Sequence, residues 1–103
     1  MTNVLIKKQN NFISYIEIKG HAFSAKYGRD LVCAGISTVT TGICNALAEL
    51  SIYDENQITI EEGLIIIPNL ISDEKIQLIC EVLIVQLEMI KQSYPNYIEI
   101  SFQ

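Results

Sequence analysis

The stretch from residue 31 to residue 50, LVCAGISTVTTGICNALAEL, decides the fold of this chain. Its apolar residues recur every three or four positions, which is the spacing of one face of an α-helix. Gly35, Gly42 and several β-branched residues make the stretch a poor helix former by itself. Packing against the rest of the protein must therefore stabilise it, and we predict that it is the central helix. The apolar stripe consists of Val32, Ile36, Val39, Ile43, Leu47 and Leu50.

Pairs of strands are predicted on both sides of this helix. In the strand before it, Ile16 and Ile18 alternate with charged residues, which is the period of a half-buried strand. After the helix, two apolar runs flank the turn Glu-Glu-Gly and indicate a β-hairpin. We interpret Glu61 and Glu62 in that turn as ordinary solvated residues. The four strands are predicted at residues 3–8, 12–19, 57–61 and 64–68.

A second helix is predicted from Ser72, as its N-cap, to about Gln92. Ile71 and Ile76 have the spacing of a hydrophobic staple across its start. The helix carries two apolar stripes, and one of them is expected to cover the sheet. The other needs a partner, either the first helix or a second subunit, and we expect it to contribute to subunit contact. The two stripes are Ile76, Ile79, Leu83, Leu87 and Ile90, and Leu78, Val82, Val85 and Met89.

An alternating segment, YPNYIEISF, closes the chain as a final strand. The predicted order is therefore β-β-α-β-β-α-β. Hairpins imply a largely antiparallel β-sheet, with both α-helices segregated from it, so the fold class is α+β. The length of 103 residues suits a single domain over residues 1–103.

Composition narrows the classes of function. The net charge is −5, and no cluster of basic residues exceeds one lysine pair, so direct binding of nucleic acid is not expected. The longest apolar runs have only four residues, far below a membrane span, and the first residues do not resemble a signal peptide. Three cysteines, odd in number and without a CxxC pair, favour a reducing compartment. We predict a cytoplasmic protein without membrane contact.

The segment GHAFSAKYGRDLVCAG, residues 20–35, carries the chemistry. It holds the only histidine, His21, and twelve residues later Cys33. If Asp30 is the N-cap of the first helix, Cys33 lies in the first helical turn, where unpaired amides and the helix dipole stabilise a thiolate. His21, on the preceding loop at 20–29, is then placed to act as a general base. The spacing indicates a candidate cysteine nucleophile.

Neighbouring groups extend this candidate site. The backbone amides of Cys33 and Ala34 are candidates to bind a developing oxyanion. Ser37 follows Cys33 by four residues on the same helical face, so its hydroxyl is expected to support the site. Gly20 and Gly28 bound the loop and are candidates for its hinges.

Other roles for the cysteines compete with this interpretation. An unpaired cysteine in an apolar helix is usually a small buried residue, and we assign Cys44 and Cys80 that role. Cys33 and Cys44 are 11 residues apart on one helix, about 16 Å, so they cannot share a zinc ion or a disulfide. A redox role for Cys33 would need Cys80 as its partner. We predict neither a metal site nor a cofactor.

The segment GHAFSAKYGRDLVCAGIS, residues 20–37, resembles the signature of the bacterial ribosomal-processing cysteine proteases. That signature reads roughly G-H-A, a short loop, then G-x-D-x-V-C-A-x-x-S. The resemblance implies His21 as base and Cys33 as nucleophile, with Asp30 and Ser37 as supporting residues and a loop that closes on substrate. Gly35 departs from the pattern, since relatives more often have alanine there; both residues are small.

The resemblance also implies a substrate and a partner. Members of that family are similar small α+β homodimers that remove a short N-terminal extension from a large-subunit ribosomal protein. An acidic chain fits a basic substrate of this kind. The competing hypothesis is a non-catalytic dimeric module that binds a ribosomal protein or an assembly factor, with Cys33 merely packed.

Overall fold

The computed structural model describes residues 1–20 and 27–103, and of residues 27–30 only the backbone. The predicted order β-β-α-β-β-α-β and the α+β class are confirmed, with one short 3₁₀ helix added before the second hairpin. The elements are β1 Thr2–Gln9, β2 Phe12–Lys19, α1 Tyr27–Leu50, the 3₁₀ helix Glu55–Gln57, β3 Thr59–Glu61, β4 Leu64–Ile67, α2 Glu74–Ser93 and β5 Ile98–Phe102.

The described strands form one five-stranded sheet in the order β3-β4-β2-β1-β5. Three of its four pairings are antiparallel, as the hairpins predicted, and β5 pairs with β1 in parallel. The β1–β2 turn contains Asn10 and Asn11, with φ of 49° and 69°. Asparagine tolerates this left-handed region better than most residues, and two such residues match the twist of a tight hairpin.

The core lies on one face of the sheet. Buried residues alternate along the strands, for example Val4 and Ile6 in β1, so the described residues cover one face of the sheet. The two helices contact each other and cover that face. The predicted stripe of α1 is mostly confirmed, but Leu50, its last residue, is 63% exposed. The fully buried residues include Ile16, Ile67, Leu47, Leu83, Leu87 and Ile98.

The helix α2 begins one residue later than predicted. Asp73, not Ser72, is the N-cap, and its carboxylate accepts hydrogen bonds of 3.0 Å from the amides of Lys75 and Ile76. One carboxylate thus satisfies two of the unpaired amides of the first turn and suits the helix dipole. Ile71 is therefore two residues before the cap, outside the position of a staple, and it is half-exposed.

The side chain of Gln77 fixes the start of α2 to the sheet. Its amide nitrogen donates to the carbonyls of Ile13 and Ile71, and its oxygen accepts from the amide of Ile13, all at 2.8 Å. These bonds pair the backbone of β2 at a point beyond Ile16, where the pairing with β4 has ended.

The helix α1 begins at Tyr27, so two predictions about its start are wrong. Asp30 is inside the helix and is not its N-cap, and Gly28 is a helical residue and not part of a loop reaching residue 29. Cys33 is consequently in the second helical turn and not in the first. Once a helix is nucleated, each further residue adds one hydrogen bond, which favours extension of α1 toward its N-terminus.

The residues Leu31–Leu50 of α1 are long and apolar enough to cross a membrane, judged by length and composition alone. The sequence contains no uninterrupted run of that length because threonine and glycine are interspersed. Core helices of soluble proteins meet the same criterion. Val32, Ile36, Ile43 and Leu47 are buried against the rest of the chain, as in a core helix.

Candidate active site

A cavity of about 340 Å³ opens between α1 and the end of the sheet where β2 stops and the β3–β4 hairpin turns. The first half of α1 supplies one wall. Gly20, at the end of β2, and Thr2, at the start of β1, lie on the opposite side, and residues 60–65 of the hairpin complete it. The residues of α1 that line the cavity are Cys33, Ile36, Ser37 and Thr41.

Cys33 and Ser37 are brought together on the same wall of this cavity. Cys33 is half-buried and Ser37 is exposed, so both face a space that an incoming molecule can enter. The helical spacing of four residues explains their shared face. A cysteine in this position is accessible to a polypeptide substrate, and its role as nucleophile stays a prediction.

The other two cysteines have a different environment. Cys44 is 6% exposed and Cys80 is completely buried. Burial, and then Cys44 and Glu81 nearby, raises the pKa of Cys80 from 9.0 to about 12. Burial likewise raises the pKa of Cys44, with a backbone hydrogen bond acting in the opposite direction. Both thiols therefore stay protonated at neutral pH and are poor nucleophiles.

Gly20 lies against the backbone of β1. A Cβ at this position would be 2.7 Å from the Cα of Thr2 and 2.9 Å from the carbonyl oxygen of Met1. Its amide donates to the carbonyl of Gly63 at 3.0 Å, which extends the β2–β4 pairing into the hairpin turn. Glycine is required here by close approach, which is a reason separate from the predicted hinge.

The remaining predicted groups lie at the edge of the described structure. His21 and the other residues at 21–26 lie outside it, as does the side chain of Asp30. In a regular α-helix that begins at Tyr27, the amides of Cys33 and Ala34 lie beyond the first four and donate to carbonyls within the helix. Their predicted role as oxyanion donors therefore requires the first turns of α1 to open.

Comparison with known proteins decides the family. The sequence model of a family described as "Cysteine protease Prp" matches residues 1–99. The chain belongs to the Prp cysteine protease family. The Ribosomal processing cysteine protease Prp of Bacillus subtilis (strain 168) is 34% identical over 91 residues, which cover 82% of this chain and 81% of that protein.

Solved structures of a Prp protease from Staphylococcus aureus have the same fold. One, described as an essential ribosomal processing protease in complex with a substrate peptide, has a TM-score of 0.88 at 27% identity. Another, with a covalently linked product peptide, has a TM-score of 0.87 at 28% identity. Each alignment covers 100% of both chains. The Prp fold therefore extends over the whole of this chain.

Sequence reasoning missed the contribution of the β3–β4 hairpin to this cavity. Glu61 and Glu62, interpreted as ordinary turn residues, are exposed and line the cavity that contains Cys33. Ile60, in the edge strand, lines it too and is 59% exposed. No local pattern identifies these residues, because only the sheet order brings the hairpin next to α1. Among the described residues, no group of three or more His, Cys, Asp or Glu side chains is placed to hold a metal ion.

Proposed function

We propose that this chain is a cysteine endopeptidase that removes a short N-terminal extension from a large-subunit ribosomal protein. The observation that carries the proposal is the position of Cys33. It is the cysteine of the family signature, and it lines an open cavity while Cys44 and Cys80 are buried. The substrate-peptide and product-peptide complexes of the Staphylococcus aureus protease support a peptide substrate for this chain as well.

The chemistry follows the order of acyl transfer. The Cys33 thiolate attacks the scissile carbonyl carbon, a carbon–sulfur bond forms, and the negative charge moves to the carbonyl oxygen. His21, which has taken its proton from the Cys33 thiol, then gives that proton to the leaving nitrogen as the carbon–nitrogen bond breaks. Water, deprotonated by His21, attacks the thioester, and the carbon–sulfur bond breaks to release a carboxylate and the thiol. The proposed reaction steps use no metal and no cofactor.

Asp30, Ser37 and the glycines have supporting roles in this proposal. Asp30 orients His21, and the Ser37 hydroxyl contributes a hydrogen bond from the cavity wall beside Cys33. The segment between Gly20 and Gly28 closes over the bound peptide, which excludes water from the reacting atoms. When that closure opens the first turns of α1, the amides of Cys33 and Ala34 become available to the oxyanion.

The proposal also includes that the protein is a cytoplasmic homodimer and that it does not bind nucleic acid or a membrane directly. The second stripe of α2 supports the dimer: Leu78, Val82, Val85 and Met89 are between 44% and 62% exposed. An apolar stripe that a single chain leaves open favours burial against another copy. The net charge of −5 supports a basic protein substrate over nucleic acid.

Cleavage of the extended ribosomal protein tests the proposal. Purified wild-type protein is expected to shift the mass of that substrate by the extension, and the Cys33→Ala variant is expected to leave it intact. Cys44→Ala is the matched control, because Cys44 is on the same helix but buried, and it is expected to cleave like the wild type once folded. Equal cleavage by wild type and Cys33→Ala would show that Cys33 is not the nucleophile.

A further inference from the structure

We propose that the substrate binds as an added strand along the open edge of β3, anchored by the backbone of Ile60. This inference rests on the proposed protease function and names how that site holds its peptide. The strand β3 is at the edge of the sheet, so one of its sides has no neighbouring strand among the described residues. Open strand edges are ready templates for pairing with an extended peptide.

The direction of the Ile60 backbone follows from the register of the sheet. The amide of Gly20 donates to the carbonyl of Gly63, so this pair in the β2–β4 ladder is hydrogen-bonded. Hydrogen-bonded pairs alternate in an antiparallel ladder, so Ile18 and Ile65, two residues further along, also form one. The amide and carbonyl of Ile65 therefore point toward β2 and away from β3.

Ile60 is opposite Ile65 in the β3–β4 pair. Because the backbone groups of Ile65 are directed at β2, Ile60 and Ile65 form a pair without hydrogen bonds between them. The amide and the carbonyl of Ile60 consequently both point outward, to the open edge. The edge offers one donor and one acceptor from the same residue, which is what a single residue of an added strand needs.

The side chains around this edge fit a peptide that reaches Cys33. Ile60 is on the same face of the sheet as Ile65, its cross-strand partner, and both line the cavity with Cys33. Ile60 is 59% exposed, so an apolar substrate side chain can cover it. A peptide on the edge of β3 thus runs along the same cavity as the nucleophile.

Charge at the turn identifies the kind of peptide. Glu61 and Glu62 are exposed at the cavity and attract a basic side chain. Ribosomal proteins carry basic segments because they neutralise RNA phosphates. The proposed occupant is therefore an extended segment of the ribosomal protein, with an apolar side chain over Ile60 and a basic side chain beside the two glutamates.

A backbone scan of the substrate tests the added strand on unaltered protein. Synthetic peptides that span the cleavage site are N-methylated singly, at positions more than three residues from the scissile bond. One residue pairs with Ile60, so one position is expected to lower kcat/KM about tenfold, while its neighbours, whose amides point away, stay within twofold. A wild-type protein that cleaves the parent peptide and tolerates methylation at every position would overturn the added strand.

A pair of variants tests the charge. Glu61→Gln with Glu62→Gln is expected to raise KM about threefold at low salt and less at high salt, with kcat unchanged. Glu55→Gln is the matched control, because Glu55 is an exposed glutamate that does not line the cavity. An unchanged KM in the double variant would overturn the recognition of a basic side chain. Absence of cleavage by the wild type would instead contradict the protease function itself.

Discussion

Cys33 and Cys44 are the same residue type on the same helix, yet they are in opposite environments. One face of the first half of α1 lines the cavity, where Cys33 is half-buried and Ser37 is exposed, while Val32 of that half is buried in the core. The second half faces the core, where Cys44 is 6% exposed and Leu47 is completely buried. Both halves have the same helical periodicity. The difference teaches that the reactivity of a cysteine in this fold depends on which part of the sheet its helix segment covers.

The largest expected difference between the two halves of α1 is in the rate at which their cysteines are alkylated. With iodoacetamide at neutral pH, we expect Cys33 to react at least about a hundredfold faster than Cys44 and Cys80, which become accessible only when the structure opens. The rates are measured by mass spectrometry of the digested protein over time. His21→Ala should slow the reaction of Cys33 alone if the imidazole takes part. Labelling of Cys33 as slow as that of Cys44 would favour the non-catalytic module.

Alanine substitution of one residue in each half of α1 should change the free energy of unfolding by very different amounts. Leu47→Ala is expected to lower the free energy of unfolding by about 3 kcal/mol, because it leaves a cavity in the core. Ser37→Ala should change it by less than about 0.5 kcal/mol, since the side chain is exposed. Urea unfolding measures both.

Activity should respond to these two variants in the opposite order. Per folded molecule, Leu47→Ala should keep wild-type cleavage, while Ser37→Ala should lose several-fold because a hydrogen-bonding group beside Cys33 is removed. A stable Leu47→Ala protein, or a Ser37→Ala protein that unfolds easily, would contradict the division of α1 into a core half and a site half.

The periodic parts of this fold were predictable from sequence. The helix starts were not, because neighbouring residues compete to cap each helix. The stripes of α1 and α2 and the two hairpins repeat a simple spacing, so their existence and order were predicted correctly. The starts of the helices depend on which residue satisfies the unpaired amides. Ser72 and Asp73 are adjacent candidates, and the carboxylate of Asp73, which pairs with two amides, is the one that caps α2.

The site was half predictable for a related reason. Cys33 and Ser37 are close in sequence, so helical spacing alone placed them on one face. The hairpin residues Ile60, Glu61 and Glu62 reach the same cavity only because β4 pairs with β2, which places β3 at the edge beside α1. Local patterns carry no information about that placement. The pairing of β5 with β1 in parallel is likewise a tertiary outcome.

The two buried thiols, Cys44 on α1 and Cys80 on α2, should also make the stability of the protein depend on alkaline pH. Burial raises the pKa of Cys80 from 9.0 to about 12, so above pH 9 the unfolded thiol loses its proton while the folded one keeps it. The unfolded state then binds fewer protons, and the free energy of unfolding falls as pH rises, by about 1.4 kcal/mol per pH unit for this group. Burial raises the pKa of Tyr53 from 10.0 to about 12, which steepens the loss above pH 10.

Urea unfolding between pH 8.5 and 10.5 measures this loss. Near neutral pH, where both groups are protonated, the expected loss is the smallest effect predicted here. Cys80→Ala should flatten the dependence by about 1.4 kcal/mol per pH unit above pH 9, because the titrating group is gone. Ser37→Ala, which removes no titrating group, should keep the wild-type slope. An unchanged slope in Cys80→Ala would mean that the Cys80 thiol titrates in the folded protein as it does in the unfolded chain. In that event burial would not raise the pKa of the core thiols. Burial would then not explain why Cys33 is expected to differ from the other two cysteines.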